Sequence, residues 1–252
     1  MADLQAIVDF LAQTLRVTEY RDWPNAVNGL QLANAGRIRR IVAAVDASEA
    51  AIRYAAARSG SLLFVHHGLF WGGVQPLAGP FGRKIRAAME GDLAIYSSHL
   101  PLDGDPVFGN NPLLARALGL RGLKPFLPPR GLPIGVQGVV RAMDRAAFVE
   151  RLATVCEGAV HLAPGGPDRV RRVGIVTGAG WSSAAEILAE GVDTFVTGEA
   201  PHHSSIEAEE YGLNVCCAGH YATETFGVRA ICARLAKRFR LPWEFFHHPT
   251  GR

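Results

Sequence analysis

Long apolar runs are missing from this sequence. None approaches the ~18 to 20 residues that a bilayer span needs, so no membrane association is expected. The opening Met1-Ala2-Asp3-Leu4-Gln5 lacks a basic stretch followed by an apolar core, which reads as neither a secretory signal nor an Arg-rich transit peptide, and a cytoplasmic protein is expected. Cysteine is scarce: Cys156, Cys216, Cys217 and Cys232 show no CxxC spacing, so buried free thiols are expected rather than disulfides. Charge of one sign is scarce too, since 26 basic against 23 acidic residues leave a formal +3. The densest basic run, Lys237-Arg238-Phe239-Arg240, falls near a helix end where cations favour the helix dipole, and no specific nucleic-acid partner is expected. A Gly-x-Ser-x-Gly elbow is absent and no cysteine has a recognisable nucleophile context, which removes the support for covalent serine or cysteine catalysis.

What remains is ordinary soluble composition, 48% hydrophobic and 19% charged over 252 residues, enough for one large domain or two modest ones. Leu4, Ile7, Val8, Leu11 and Leu15 share one helical face over 3–16. Apolar strand-like runs at 41–45, 62–65 and 93–97 alternate with helical stretches at 49–58, 82–90 and 111–118. The proline- and glycine-rich 121–134 suits an extended connection, so a boundary is placed there between lobes 1–125 and 126–252. The alternation resumes with a strand at 134–140 and a helix opened by Asp144 as N-cap. Strands at 173–177, 194–197 and 215–217 follow, with helices at 182–190, 203–211 and 224–238 and a last strand at 243–246. Such alternation is α/β, with largely parallel pairing under covering helices, and the final helix and strand are free to pack back on the first lobe.

Three segments repeat one grammar, an apolar strand, then an imidazole or carboxylate, then a glycine or a helix start. The first is Phe64-Val65-His66-His67-Gly68, at the C-terminal edge where open α/β sheets form ligand crevices. Neighbouring strand residues diverge, so both histidines serve one site only if the chain turns, which Gly68 permits, or if each serves a different ion. Tyr96 to Asp103 offers His99 and Asp103; Ala218 to Glu224 offers His220 and Glu224. Each has a plainer alternative, a loop hydrogen bond for the histidines, a turn for Asp103, and Thr223 as cap with Glu224 in the first helical turn. Their coincidence favours a metal site. The three imidazoles of His66, His67 and His220 with the two carboxylates of Asp103 and Glu224 suit zinc, iron, manganese or nickel, and without thiolates a structural zinc knuckle is not expected. Five ligands exceed one open catalytic zinc and suit two divalent metal ions. A carboxylate such as Glu224 can bridge ions ~3.5 to 4 Å apart, between which water loses a proton near neutral pH.

His66-His67-Gly68, the Ser98-His99 to Asp103 segment, Thr197-Gly198-Glu199 with His202-His203, and Gly219 to Glu224 together resemble the Nif-three-like family, of the YbgI type often labelled GTP cyclohydrolase I type 2 homologues. The early Trp23-Pro24-Asn25-Ala26-Val27-Asn28-Gly29-Leu30-Gln31-Leu32 is similar to that family's N-terminal signature, so the likeness spans nearly the whole chain. It implies two interlocked α/β lobes with mixed sheets covered by helices, and a dinuclear metal site in the cleft between them ligated by His66, His67, Asp103, His220 and Glu224. It also implies a ring-shaped homohexamer without the inserted domain of larger relatives. The chain departs from the family where a Thr-Asn pair usually precedes the leucine and aspartate; Leu100-Pro101 stand there, with fewer polar groups beside Asp103.

His99, Glu199, His202 and His203 are candidates for supporting the ligands or moving protons, and His99 and Glu199 are taken as the catalytic pair. The glycine-rich Thr177 to Ser183 is either a tight turn with Ser182 as cap or a phosphate cradle, and it lacks the full dinucleotide and P-loop patterns. Phe70-Trp71 either stacks beside the metals or packs on its own core. The expected function is a metal-dependent hydrolase acting on a small nucleotide-like or heterocyclic substrate. The alternative is a non-catalytic ring that stores, delivers or senses metal, or that regulates a partner; a purely structural metal would instead unfold the chain on chelation.

Overall fold

The computed structural model describes residues 1–127 and 134–251; Pro128, Pro129 and Pro133 of the expected connection lie outside them. The chain forms two compact units, one of Met1–Leu102 with Gly227–His248, the other of Asp103–Phe226 with the last few residues. The chain therefore leaves the first unit after Leu102 and re-enters it at Gly227.

The first unit is built on a five-stranded sheet in the order Trp243–Phe245, Arg40–Asp46, Ser61–His67, Ala94–Ser97 and Gly29–Leu32. The first four strands run parallel and Gly29–Leu32 closes the edge antiparallel. Ser61–His67 lies third of the five and is buried along six of its seven residues. That is why it reads as an unbroken apolar run instead of an alternating one. The helix Glu49–Ala56 starts at Ser48, whose Oγ accepts from the Ala51 amide at 3.1 Å, and it buries Ala51, Ile52 and Ala55. Together with Val42, Leu63, Val65 and Ile95 they make one core cluster.

The second unit holds a six-stranded mixed sheet in the order Arg121–Phe126, Gly135–Asp144, Arg169–Val176, Thr194–Thr197, Asn214–Cys217 and His161–Pro164. The three consecutive strands from Arg169–Val176 to Asn214–Cys217 are parallel, and the flanking pairs are antiparallel. Side chains alternate across it: Val196 and Cys216 join a core with Phe148 and Leu152 of the helix Arg145–Cys156, while Phe195 and Val215 join one with Ile187 and Ala208 of the helices Ala184–Ala189 and His203–Tyr211. Both faces are covered. The expected α/β class with mixed sheets under helices is what the chain forms.

Three local expectations are corrected. Arg121–Phe126, read as part of a connection, is an edge strand, the one place where Pro125 costs the ladder nothing. Asp144 stands at the N-cap in extended backbone but makes no side-chain cap, because its carboxylate accepts from Arg169 Nη1 at 3.0 Å. The cap of Ala184–Ala189 is Ser183, not Ser182, with Oγ accepting from the Glu186 amide. Among the described residues no helix is long and apolar enough to cross a membrane.

Candidate metal centre

In the first unit the strand Ser61–His67 ends on His66 and His67, and the loop after Ala94–Ser97 brings His99 beside them. One ring nitrogen of each lies within 4.8 Å of the others, and the ring centroids are 4.7, 4.9 and 5.6 Å apart. Each Nδ1 meets an oxygen at 2.9 Å: the Ser98 carbonyl for His66, Asp46 for His67 and Asp22 for His99. A carbonyl only accepts, so His66 carries its proton on Nδ1 and its lone pair on Nε2. A carboxylate oxygen likewise accepts at Nδ1 of His67 and of His99. This is how proteins orient imidazoles whose other nitrogen binds a metal. Asp46 is the parallel-register partner of His67 on the neighbouring strand, so the pairing follows directly from the sheet.

The residues behind His99 are tightly held. Asp22 accepts from His99 Nδ1 and the Trp23 amide at Oδ1, and from Asn28 Nδ2 and the Leu100 amide at Oδ2. Burial opposes its charge, yet the hydrogen bond from His99, with those from Asn28 and Leu100, holds its carboxyl below the usual range. Gln31 performs the equivalent service for the turn after His67, accepting from the Leu69 amide at 2.7 Å and donating to the Ala26 and Val27 carbonyls. A Cβ at Gly68 would come within 2.2 Å of the Gln31 amide, so any larger residue there would have to displace that hydrogen-bonded group. Trp71 sets its ring edge-on to His99, with centroids 4.8 Å apart, whereas Phe70 packs into the core against Phe81.

In the second unit His220 lies between two carboxylates, Nδ1 at 2.9 Å from Glu199 Oε1 and Nε2 at 3.2 Å from Glu224 Oε1. His220 opens the short helix His220–Thr223, and Glu224, 2% exposed, follows it. Burial by itself would lower the imidazole's pKa, and Glu224 and then Glu199 outweigh it, raising the value to about 9. Two glycines make room: a Cβ at Gly178 would lie 2.2 Å from Glu224 Oε1, and one at Gly198 would lie 2.7 Å from His220 Cα. Asp103, 6% exposed, accepts from Asn110 Nδ2 at 2.8 Å. Asn111 ties this segment to the glycine turn, its Oδ1 accepting from the Thr177 amide at 2.8 Å.

The first unit therefore gathers His66, His67 and His99, and the second gathers His220, Glu224 and Glu199. His202 and His203 are exposed, and His203 faces Glu207 at 3.9 Å one helical turn on, away from any such cluster. The amides of Thr177, Gly178 and Gly180 are committed to Asn111, Thr223 and Thr197, as in a tight structural turn. Burial drives the Cys156 and Cys216 thiols up to about 12 and Cys232 well above its usual value, as expected of inert core cysteines. Sequence reasoning missed Asp22, Asp46, Asn28 and Gln31. Asp46 had a signal, because it ends the apolar strand Arg40–Asp46 with the grammar of the other ligand segments.

Nitrogen and oxygen donors without thiolate, with every imidazole backed by an oxygen, define the class as an α/β protein with a His/Glu cluster fit for a divalent metal. The Duf34/NIF3 (NGG1p interacting factor 3) family matches residues 2–250, and the chain belongs to that family. It is 42% identical over 246 residues to the GTP cyclohydrolase 1 type 2 homolog of Deinococcus radiodurans, covering 97% of this chain and 93% of that one. The protein of the same name from Halobacterium salinarum is 40% identical over 254 residues, with 99% of each covered. Among solved structures, TTHA1606 from Thermus thermophilus is similar at a TM-score of 0.89 and 39% identity, and protein ybgI at 0.92 and 29%, each with both chains fully covered. The family expected from the motifs is thus the family found.

Proposed function

We propose that this chain is a metal-dependent hydrolase in which His66, His67, Asp103, His220 and Glu224 together hold two divalent ions. The observation that carries the reading is the uniform backing of the imidazoles: all four Nδ1 atoms of His66, His67, His99 and His220 sit 2.9 Å from an oxygen. Such backing costs side-chain entropy and desolvation, and it is repaid where Nε2 must be presented as a lone pair. Bound ions would lower the pKa of a coordinated water and supply a hydroxide nucleophile near neutral pH.

The chain's own residues set the conditions for that chemistry. Glu224 is buried, which keeps its carboxylate undiluted by solvent and favours a cation beside it. Glu199 holds His220 from behind and, being less buried, is the route by which a proton would leave the imidazole. In the first unit His99, set beside His66 and His67, would be the group that moves a proton.

The substrate proposed is a small hydrolysable heterocycle or nucleotide-like compound. The relatives' name invokes GTP, but in the glycine-rich segment that suggested a triphosphate cradle the amides of Thr177, Gly178 and Gly180 are already engaged. Loading the purified protein with manganese, zinc or iron and screening nucleotides, cyclic amides and phosphoesters tests the reading. Metal-dependent turnover of one class supports it; loaded protein inert across the panel counts against an enzyme and for a metal-storing or delivering role. The same preparation, sized by light scattering, tests the homohexamer that the family resemblance implies.

A further inference from the structure

Asp22 belongs to no ligand set, yet both of its carboxylate oxygens are engaged. Its side chain is only 6% exposed, and its two oxygens accept four hydrogen bonds, two each. Three of the donors have no freedom to become acceptors: the Trp23 and Leu100 amides carry fixed protons, and Asn28 Nδ2 is fixed because Asn28 Oδ1 accepts from the His99 amide at 2.7 Å. The only partner whose proton can move is the His99 ring.

Resting on the metal reading above, we infer that Asp22 is a positioning residue that locks His99 with its proton on Nδ1, giving the first unit a third Nε2 lone pair beside those of His66 and His67. The geometry explains why a carboxylate stands there and an amide would not serve. An Asp22→Asn side chain must turn its NH2 group toward one pair of donors. Facing Asn28 and Leu100, it would confront two protons held in part-buried positions. Facing His99 and the exposed Trp23 amide, it leaves Trp23 to solvent and needs only that the His99 proton shift from Nδ1 to Nε2. The second arrangement costs less, so the substitution reverses the tautomer while nearly preserving shape. The lone pair then points at the amide, and the ring presents a proton to His66 and His67.

The test is two-bond proton–nitrogen NMR on metal-free protein labelled at its histidine ring nitrogens, with His99→Gln identifying the signals. Wild-type His99 is expected in the Nδ1–H form and the Asp22→Asn variant in the Nε2–H form. Wild-type His99 in the Nε2–H form overturns the inference whether or not the variant folds, as does an unchanged tautomer in a folded variant. Cobalt(II) loading gives a second readout: the visible bands of Asp22→Asn should differ from wild type, and superimposable spectra would also overturn it. A wild-type protein that takes up no cobalt defeats the metal reading instead, and the tautomer measurement then decides the role of Asp22 by itself.

Discussion

His220 shows most clearly how single side chains are tuned here. In the metal-free protein its pKa rises from 6.5 to about 9, so near neutral pH the ring is an imidazolium clamped by Glu199 and Glu224. A raised folded-state value means the stabilisation is fully present below about pH 6.5 and is lost as the pH climbs through about 9. Denaturant unfolding of wild type and His220→Gln, both stripped of metal, should show a stability gap that closes over that interval; a gap that widens with pH would refute the clamp. A metal ion competes with the same proton, so uptake should release protons and strengthen with rising pH. Glu224→Gln removes the charge that serves both partners, and elemental analysis should find both ions weakened. Full loading of that variant would exclude a bridging role for Glu224.

Among elements, glycine placement decides whether the ligand segments can approach. Gly178 has φ +66°, and a Cβ would meet Glu224 Oε1. Gly178→Ala should therefore cost roughly 1 to 2 kcal/mol from the left-handed backbone alone and should weaken metal uptake as well, by moving Glu224. Denaturation paired with metal titration checks both effects; lost stability with unaltered uptake would separate the turn from the site. The strands that carry these segments were legible because parallel strands covered on both faces read as plain apolar runs, as in Ser61–His67 and Thr194–Thr197. Arg121–Phe126 and His161–Pro164 were not, since edge strands need no such run and tolerate proline. Asp22 was illegible for another reason: it lies in a loop without periodicity, and its partner His99 is 77 residues away. Only the fold brings them together.

For the whole molecule, each unit builds its own sheet and core, and each gathers its own cluster of candidate donors. The family expected from a few short motifs is shown by a match over residues 2–250, and because one fold hosts many chemistries it is the site that defines the reaction. Whether the donors act together on a pair of cations is the claim from which substrate, hydroxide and tautomer control all follow. Diffraction with anomalous data from protein supplied with excess zinc or manganese decides it. Two anomalous peaks per chain are expected, coordinated by His66, His67, Asp103, His220 and Glu224. Those five side chains without a peak, under the same excess, would contradict it.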